Sequence, residues 1–548
     1  MKKSRWYDWG LEVSVGLILG LVPLVFWSEA SLPFEIPKVF VFRLFLCLSI
    51  FFSINKYYFN REFTLPSSLK NKVFITVASL VMLTVAVGTF KSDYLGISVL
   101  GSYFRYQGGL SYFYYFAFFW VCLLGLNRDQ FRKCFVVAFV SFLLVLVYGV
   151  LQKFGVYFGN LNVDEFLGRT FSTLGHPNYL GSYILLLLFP FVAWSLSKKY
   201  YWVGGAISLL ALVNLFFTGS RASFLGLIAG LVLFVFMYKK SFKKWVIGFS
   251  AGLILLIGAL LITDRLDEGE RSVNSRLVMW PGVVEMIKDG PWHGYGPDTF
   301  SISYAPYMST ELLVLEKFNY IPDRAHNVVL QWFSDYGYAG GVVLLIASFW
   351  FFWFGFKNMR KSLLGAGAFS SLVAIFVAHL FGFSVTVHLV YIFFLLSFVF
   401  REMSGKNFRV HSKPILWIVM IFGLVIFAPN ILTASNYHDH PGFYHLALAE
   451  KYSSQSFKDP SYYELAEEEF EAALEIMPFY PPVYLEFGKF YYQHGDFEKS
   501  TEKFEYYVEL APENRDEQFY KANPEFYEVF DYLPPQNLPP FLQLPTGL

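Results

Sequence analysis

Runs of about 17 to 20 apolar residues, each closed by charged or turn-forming residues, recur from the N-terminus to beyond position 400, and they settle the fold class first. A helix rises 1.5 Å per residue, so about 20 residues cross the hydrocarbon of a bilayer. About thirteen runs qualify, near 11–27, 38–54, 73–90, 110–126, 134–151, 179–197, 201–217, 222–238, 245–263, 338–356, 363–381, 386–400 and 414–432. The stretch 363–400 reads either as two spans or as one long helix with a re-entrant piece. Of 548 residues, 55% are hydrophobic and 16% charged, against roughly 25% charged in soluble domains. A wholly soluble protein is excluded. The expected fold is all-α: a polytopic membrane helix bundle over 1–432, followed by a water-facing domain.

Orientation follows from the loops, because Lys and Arg are retained on the cytoplasmic side. Alternate loops are basic, with Lys56, Arg61, Lys70 and Lys72, then Arg128, Arg132 and Lys133, Lys198 and Lys199, Lys239 to Lys244, Lys357 to Lys361, and Arg401 to Lys413. The N-terminus is therefore expected inside and, with an odd number of spans, the C-terminus outside. The first run follows Lys2, Lys3 and Arg5 and reads as a retained span rather than a cleaved signal. Loops 91–109, 152–178 and the long 264–337 then lie outside the cytoplasmic membrane.

The last part of the chain differs in kind, holding half of the 42 acidic residues but only seven of the 43 basic ones. Ala466, Phe470, Ala473 and Pro478 recur 34 residues later as Ser500, Phe504, Tyr507 and Pro512, the period of tetratricopeptide helix pairs. Residues 433–532 are expected to form an external tetratricopeptide-like helical domain, with caps near 441–452 and 516–532, and 533–548 a Pro- and Leu-rich tail.

Polar residues held against a membrane are costly, so they mark function. Four stretches stand out: "GSYFRYQGG" with Arg105, "GRTFSTLGHPNYLG" with Arg169 and His176, "TGSRASFLG" with Arg221, and the long loop with Arg276 and "DRAHN". His326 and Asn327 are followed by nine residues, Gly337, two residues and Gly340. With an ordinary pKa near 6.5, His326 suits general-base work on a hydroxyl. Arginine offers fixed, always-charged donors for a diphosphate, which points to Arg221 and Arg276 and, behind them, Arg169 and Arg105.

This His-Asn-x9-Gly-x-x-Gly pattern, with the pairs Ser220-Arg221 and Ser275-Arg276 and the "GYG" at 294–296, resembles the O-antigen ligase superfamily of ligases, polymerases and protein O-oligosaccharyltransferases, over about residues 70–400. The resemblance implies an inverting glycosyltransferase without metal or cofactor, moving a glycan from a polyprenyl-diphosphate carrier to a glycan or protein acceptor. The tail, outside that resemblance, would suit a protein partner. No Walker or Rossmann glycine loop is present, and nothing points to nucleic acid.

Plainer readings stand beside these. His326 could cap a helix, Arg221 snorkel to headgroups, Arg276 pair with Glu285 or Asp289, and His176 serve helix entry. The "NYHDH" at 436–440 reads as a solvated loop, and Cys47, Cys122 and Cys134 are too scattered for zinc or a disulfide framework. A flippase or transporter would use the same arginines but needs polar groups throughout the membrane depth.

Overall fold

The computed structural model describes residues 6–28, 33–59, 63–66, 72–102, 105–158, 168–238, 266–309, 312, 322–359, 362–403, 407–410, 441–457, 459–476, 478 and 481–510. The expected spans 245–263 and 414–432, the "NYHDH" stretch, the second cap and the Pro-rich end lie outside the described residues.

The fold is all-α. Its elements are α1 (Trp6–Leu21), α2 (Glu35–Phe59), α3 (Lys72–Phe90), α4 (Leu95–Leu100), α5 (Gly109–Trp120, prolonged by a π-helical turn Val121–Gly125), α6 (Arg128–Lys153), α7 (Pro177–Lys198), α8 (Tyr201–Thr218) and α9 (Arg221–Met237). They continue as α10 (Leu266–Asp289), α11 (Phe300–Tyr304), α12 (Val328–Asn358), α13 (Leu363–His379), α14 (Thr386–Met403), α15 (Pro441–Ser456), α16 (Tyr462–Ile476), α17 (Pro481–Gln493) and α18 (Phe497–Leu510). Seven of them, α2, α3, α6, α7, α8, α12 and α14, are long and apolar enough to cross a membrane. Three shorter apolar helices, Gly109–Gly125, Arg221–Met237 and Leu363–His379, join them. The stretch 363–400 resolves into two helices, α13 and α14.

Lipid tails supply no hydrophobic drive between helices, so close packing and internal polar bonds hold the bundle. At its centre α13 lies against both α7 and α9. Its small residues permit this: a side chain at Gly367 would meet the Phe189 carbonyl at 2.6 Å, and Ser371 Oγ donates to the Leu185 carbonyl at 2.7 Å. Aromatic rings fill the rest, with Phe135 packed edge-on against Phe394 and Phe398.

Polar groups gather at the two ends of the helices. At one end Lys56 pairs with Asp8 at 2.7 Å, Lys133 with Glu12 at 2.8 Å and Arg128 with Glu402 at 3.0 Å. The loops after α2 and α14 meet at this end in a two-stranded antiparallel ribbon, β1 (Phe63–Pro66) with β2 (Asn407–Val410). This ribbon joins two loops that the charge pattern assigns to one side of the membrane.

The C-terminal helices form two pairs, α15 with α16 and α17 with α18. The repeat positions Ala466, Phe470 and Ala473 are buried, as are Ser500 and Tyr507, and Ser500 Oγ donates to the Gly488 carbonyl at 3.0 Å.

The ribbon has a direct check. In a background with Cys47, Cys122 and Cys134 changed to Ser, Thr64→Cys and Arg409→Cys stand opposite each other in the register and are expected to join under mild oxidation. Thr64→Cys with a cysteine at Asn407 should not. Equal cross-linking of both pairs on a gel would contradict the register.

Candidate active site

The segment 323–327 is the centre of the opposite end, and each residue is fixed by a different part of the chain. Asn327 starts α12 as an N-cap, its side chain accepting from the Val329 and Leu330 amides at 2.9 and 3.1 Å. His326, just outside the helix, is held at φ +49°, in the left-handed region that few side chains adopt. The Ala325 amide donates to Gln331 Oε1 at 2.8 Å, and Gln331 in turn donates to Asp335 at 2.8 Å. The Ala325 carbonyl accepts from Trp280 Nε1 of α10 at 3.0 Å.

Arg324 is buried and paired with the buried Asp298; it also donates to Gln107 Oε1 at 3.3 Å. Asp298 accepts from the Ser102 and Gln107 amides as well. Asp323 pairs with Arg105, which donates to the Tyr179 hydroxyl at 2.7 Å and lies 4.8 Å from the centre of the Phe383 ring. Three loops far apart in sequence are thereby closed into one polar floor.

The two motif glycines have separate tasks. Gly337 breaks α12 at φ +65°, ψ −170°, where any side chain would collide with the Trp292 carbonyl. The break frees two helix carbonyls for the neighbouring loop: Ser334 and Asp335 accept from the Tyr295 and Gly296 amides, both at 2.9 Å. The "GYG" segment therefore docks by its backbone. Gly340 lets α3 approach α12, since a Cβ there would stand 2.7 Å from Thr84 Cγ2.

The other expected residues converge on His326 in part. His176 is the N-cap of α7, with Nδ1 accepting from the Asn178 amide at 3.1 Å, so helix entry is its role here. Arg169 donates to the Thr218 carbonyl at 2.7 Å and to Asn178 Oδ1 at 3.2 Å. Arg221 opens α9 three residues beyond Thr218, after a left-handed turn at Gly219. Arg276 lies on α10 one turn before Trp280.

The electrostatics tie these groups together. Burial, then Arg276 and Arg105, push His326 down to about 4, although Asp323 pulls the other way. Burial and the charges of Arg169 and Arg105 push His176 down to about 3, with further contributions from His326 and Arg276. Burial opposes the charge of Asp323, yet Arg105 holds that carboxyl at about 2. At neutral pH both histidines are uncharged beside a group of permanent cations. That combination can accept a proton and hold an anion.

An apolar cavity of about 320 Å³ opens beneath this site between α3, α5, α12, α13 and α14. Phe74, Trp120, Trp350 and Phe393 line it, and Gln107 and Arg324 stand at its polar end. Phe383 belongs to both compartments: it lines the cavity, and its ring packs edge-on against His326 with 5.1 Å between centroids.

Sequence reasoning passed over Asp298, Asp323, Arg324, Gln107, Trp280 and Phe383. The adjacent Asp323 and Arg324, an acid and a base in a stretch otherwise leading into a span, were the available signal.

A multi-pass helical membrane protein with a histidine-arginine site at one end of the bundle is the class this geometry defines. Residues 206–345 match the family model described as O-antigen ligase, a segment running from α8 into α12 and holding Arg221, Arg276, His326, Asn327, Gly337 and Gly340. The chain is similar to a general O-oligosaccharyltransferase of Acinetobacter baylyi, at 21% identity over 287 residues. That alignment covers 47% of this chain and 49% of the relative, so the chain spans about half the length of the curated relative it matches. No solved structure matches. The family segment and this relative both support a likeness to the O-antigen ligase superfamily over this part of the chain.

The buried pair yields a stability prediction. Asp298→Ala leaves Arg324 buried without its counter-ion and should cost about 3 to 5 kcal/mol, lowering the thermal midpoint in detergent by several degrees. Adding Arg324→Met should restore most of the loss. A double variant as unstable as the single would show that the pair itself is not the determinant.

Proposed function

We propose that this protein is a membrane glycosyltransferase that transfers a glycan from a polyprenyl-diphosphate carrier to an acceptor hydroxyl on the outer face of the cytoplasmic membrane. The observation that carries this reading is the junction at Phe383, where an apolar intramembrane cavity meets a neutral histidine among arginines. A lipid-linked diphosphate is amphipathic in the same sense. Its isoprenoid would occupy the cavity, and its diphosphate would lie among Arg221, Arg276 and Arg169, with Arg105 engaged mainly in holding Asp323.

The chemistry then needs no metal. His326 takes the proton of the acceptor hydroxyl, whose oxygen attacks the anomeric carbon from the face opposite the diphosphate. The bond to the diphosphate breaks, its electron pair stays with the leaving group, and the configuration inverts. Residues 1–432 form the membrane domain, with the site loop 264–337 and the tetratricopeptide-like 433–532 external.

A protein acceptor is the second reading. A tail of paired helices, of the kind that often binds peptides, supports it.

The deciding assay is transfer from purified polyprenyl-diphosphate glycan to acceptor in detergent or liposomes. His326→Gln should fold and bind donor but lose about 10²- to 10⁴-fold in rate. Arg276→Ala should weaken donor binding by roughly ten- to a hundredfold, with Arg276→Lys restoring part of it. Near-normal transfer by His326→Gln, or lipid movement without a new glycosidic bond, would overturn the reading.

A further inference from the structure

Helix α10 carries Arg276, and what α10 packs against sets where that side chain stands. Arg276 and Trp280 are one turn apart, and Trp280 hands its indole N–H to the Ala325 carbonyl beside His326. A neighbouring stripe of the same helix, Met279, Val283 and Met286, is buried, at spacings of four and three residues that put them in one line.

The short helix α11 covers part of that stripe through Phe300 and Tyr304. The same core contains two residues from the far end of the chain, Leu485 of α17 and Tyr507 of α18, 4% and 1% exposed. Tyr484 packs at its margin, as do Leu330 and Phe333 from the first turns of α12. A second core repeats the arrangement: Ile97 of α4 and Ile302 of α11 are buried together with Leu446, Phe470, Phe487 and Phe490 of the C-terminal helices. The C-terminal helices are thus built into the walls around the site.

We propose that α17 and α18 are a positioning element of the donor site: by closing the apolar stripe of α10 they hold Arg276 over the His326 segment, with Trp280 as the link. This goes beyond a tail that recruits an acceptor, and it rests on the reading of Arg276 as a diphosphate ligand. Truncating the tail side of this core removes packing that α11, five residues long, cannot replace. A loosened α10 separates Arg276 from His326 and lowers donor affinity while the rest of the membrane bundle stays packed.

The test uses the full chain in detergent, with Leu485→Asp, Tyr507→Ser and the conservative control Tyr507→Phe. Hydrogen exchange is followed over 274–289 with α7 as the internal reference, and polyprenyl diphosphate itself is the binding probe. In the first two variants, exchange in α10 should accelerate at least about tenfold relative to α7, corresponding to loss of one or two buried side-chain contacts. The donor KM should rise with little change in acceptor KM, and Tyr507→Phe should match the wild type. Trp280→Phe keeps the ring in the core but removes the N–H, so it should raise donor KM up to about tenfold without altering exchange in α17 and α18. Unchanged α10 exchange in Leu485→Asp would overturn the positioning role. Accelerated α10 exchange with unaltered polyprenyl-diphosphate affinity would instead overturn the diphosphate reading of Arg276, and with it the link from tail to donor.

Discussion

The ion pair between Arg324 and Asp298 is the constraint on which the site depends. Both groups are buried, and a buried pair is tolerated only when its remaining hydrogen-bonding capacity is also met. Here Asp298 takes two backbone amides from the loop before α5, while Arg324 reaches Gln107 in that same loop. The pair therefore compels Ser102 and Gln107, Asp298, and the segment 323–327 to meet at one place. His326 acquires its left-handed backbone as a consequence, between a clamped Ala325 and an N-capping Asn327.

That floor separates two environments. On the far side is an apolar cavity walled by aromatic side chains; on the near side are the arginines and an uncharged histidine. Phe383 is shared by both, stacking with Arg105 and packing on His326. Burial itself lowers the histidine pKa most, and Arg276 and Arg105 add to it, a contribution that an arriving anion would oppose. The proposed donor, an anion attached to a hydrocarbon chain, would use both environments.

Much of this was legible in the sequence because the membrane imposes a single length scale. Eleven of the expected spans coincide with described helices. The apolar run near 338–356 marks only part of α12, which begins at Val328 and carries through a kink at Gly337, supported by amides from 295 and 296. His326 feels the charges of Arg276 and Arg105, and His176, which caps a helix, feels those of Arg169 and Arg105. Asp298 was invisible for a different reason. Its importance comes from a contact 26 residues away in sequence with Arg324, and no local pattern records such a pairing. The burial of Leu485 and Tyr507 in one core with residues of α10 is likewise a tertiary event, since repeat spacing specifies the helix pair and is silent about its neighbour.

The central claim is that the cations of this site hold a diphosphate beside a neutral His326. Titrating His326 by nuclear magnetic resonance, with histidine isotope labels and His326→Gln for assignment, tests it most directly. Without ligand the ring should remain neutral until the pH approaches about 4, so an acid limb belongs far below the usual histidine range. Saturation with polyprenyl diphosphate should offset the charges of Arg276 and Arg105 and raise that midpoint by at least one unit, because like-charge repulsion of the imidazolium is relieved. A midpoint that stays in place when the lipid is bound would contradict the account.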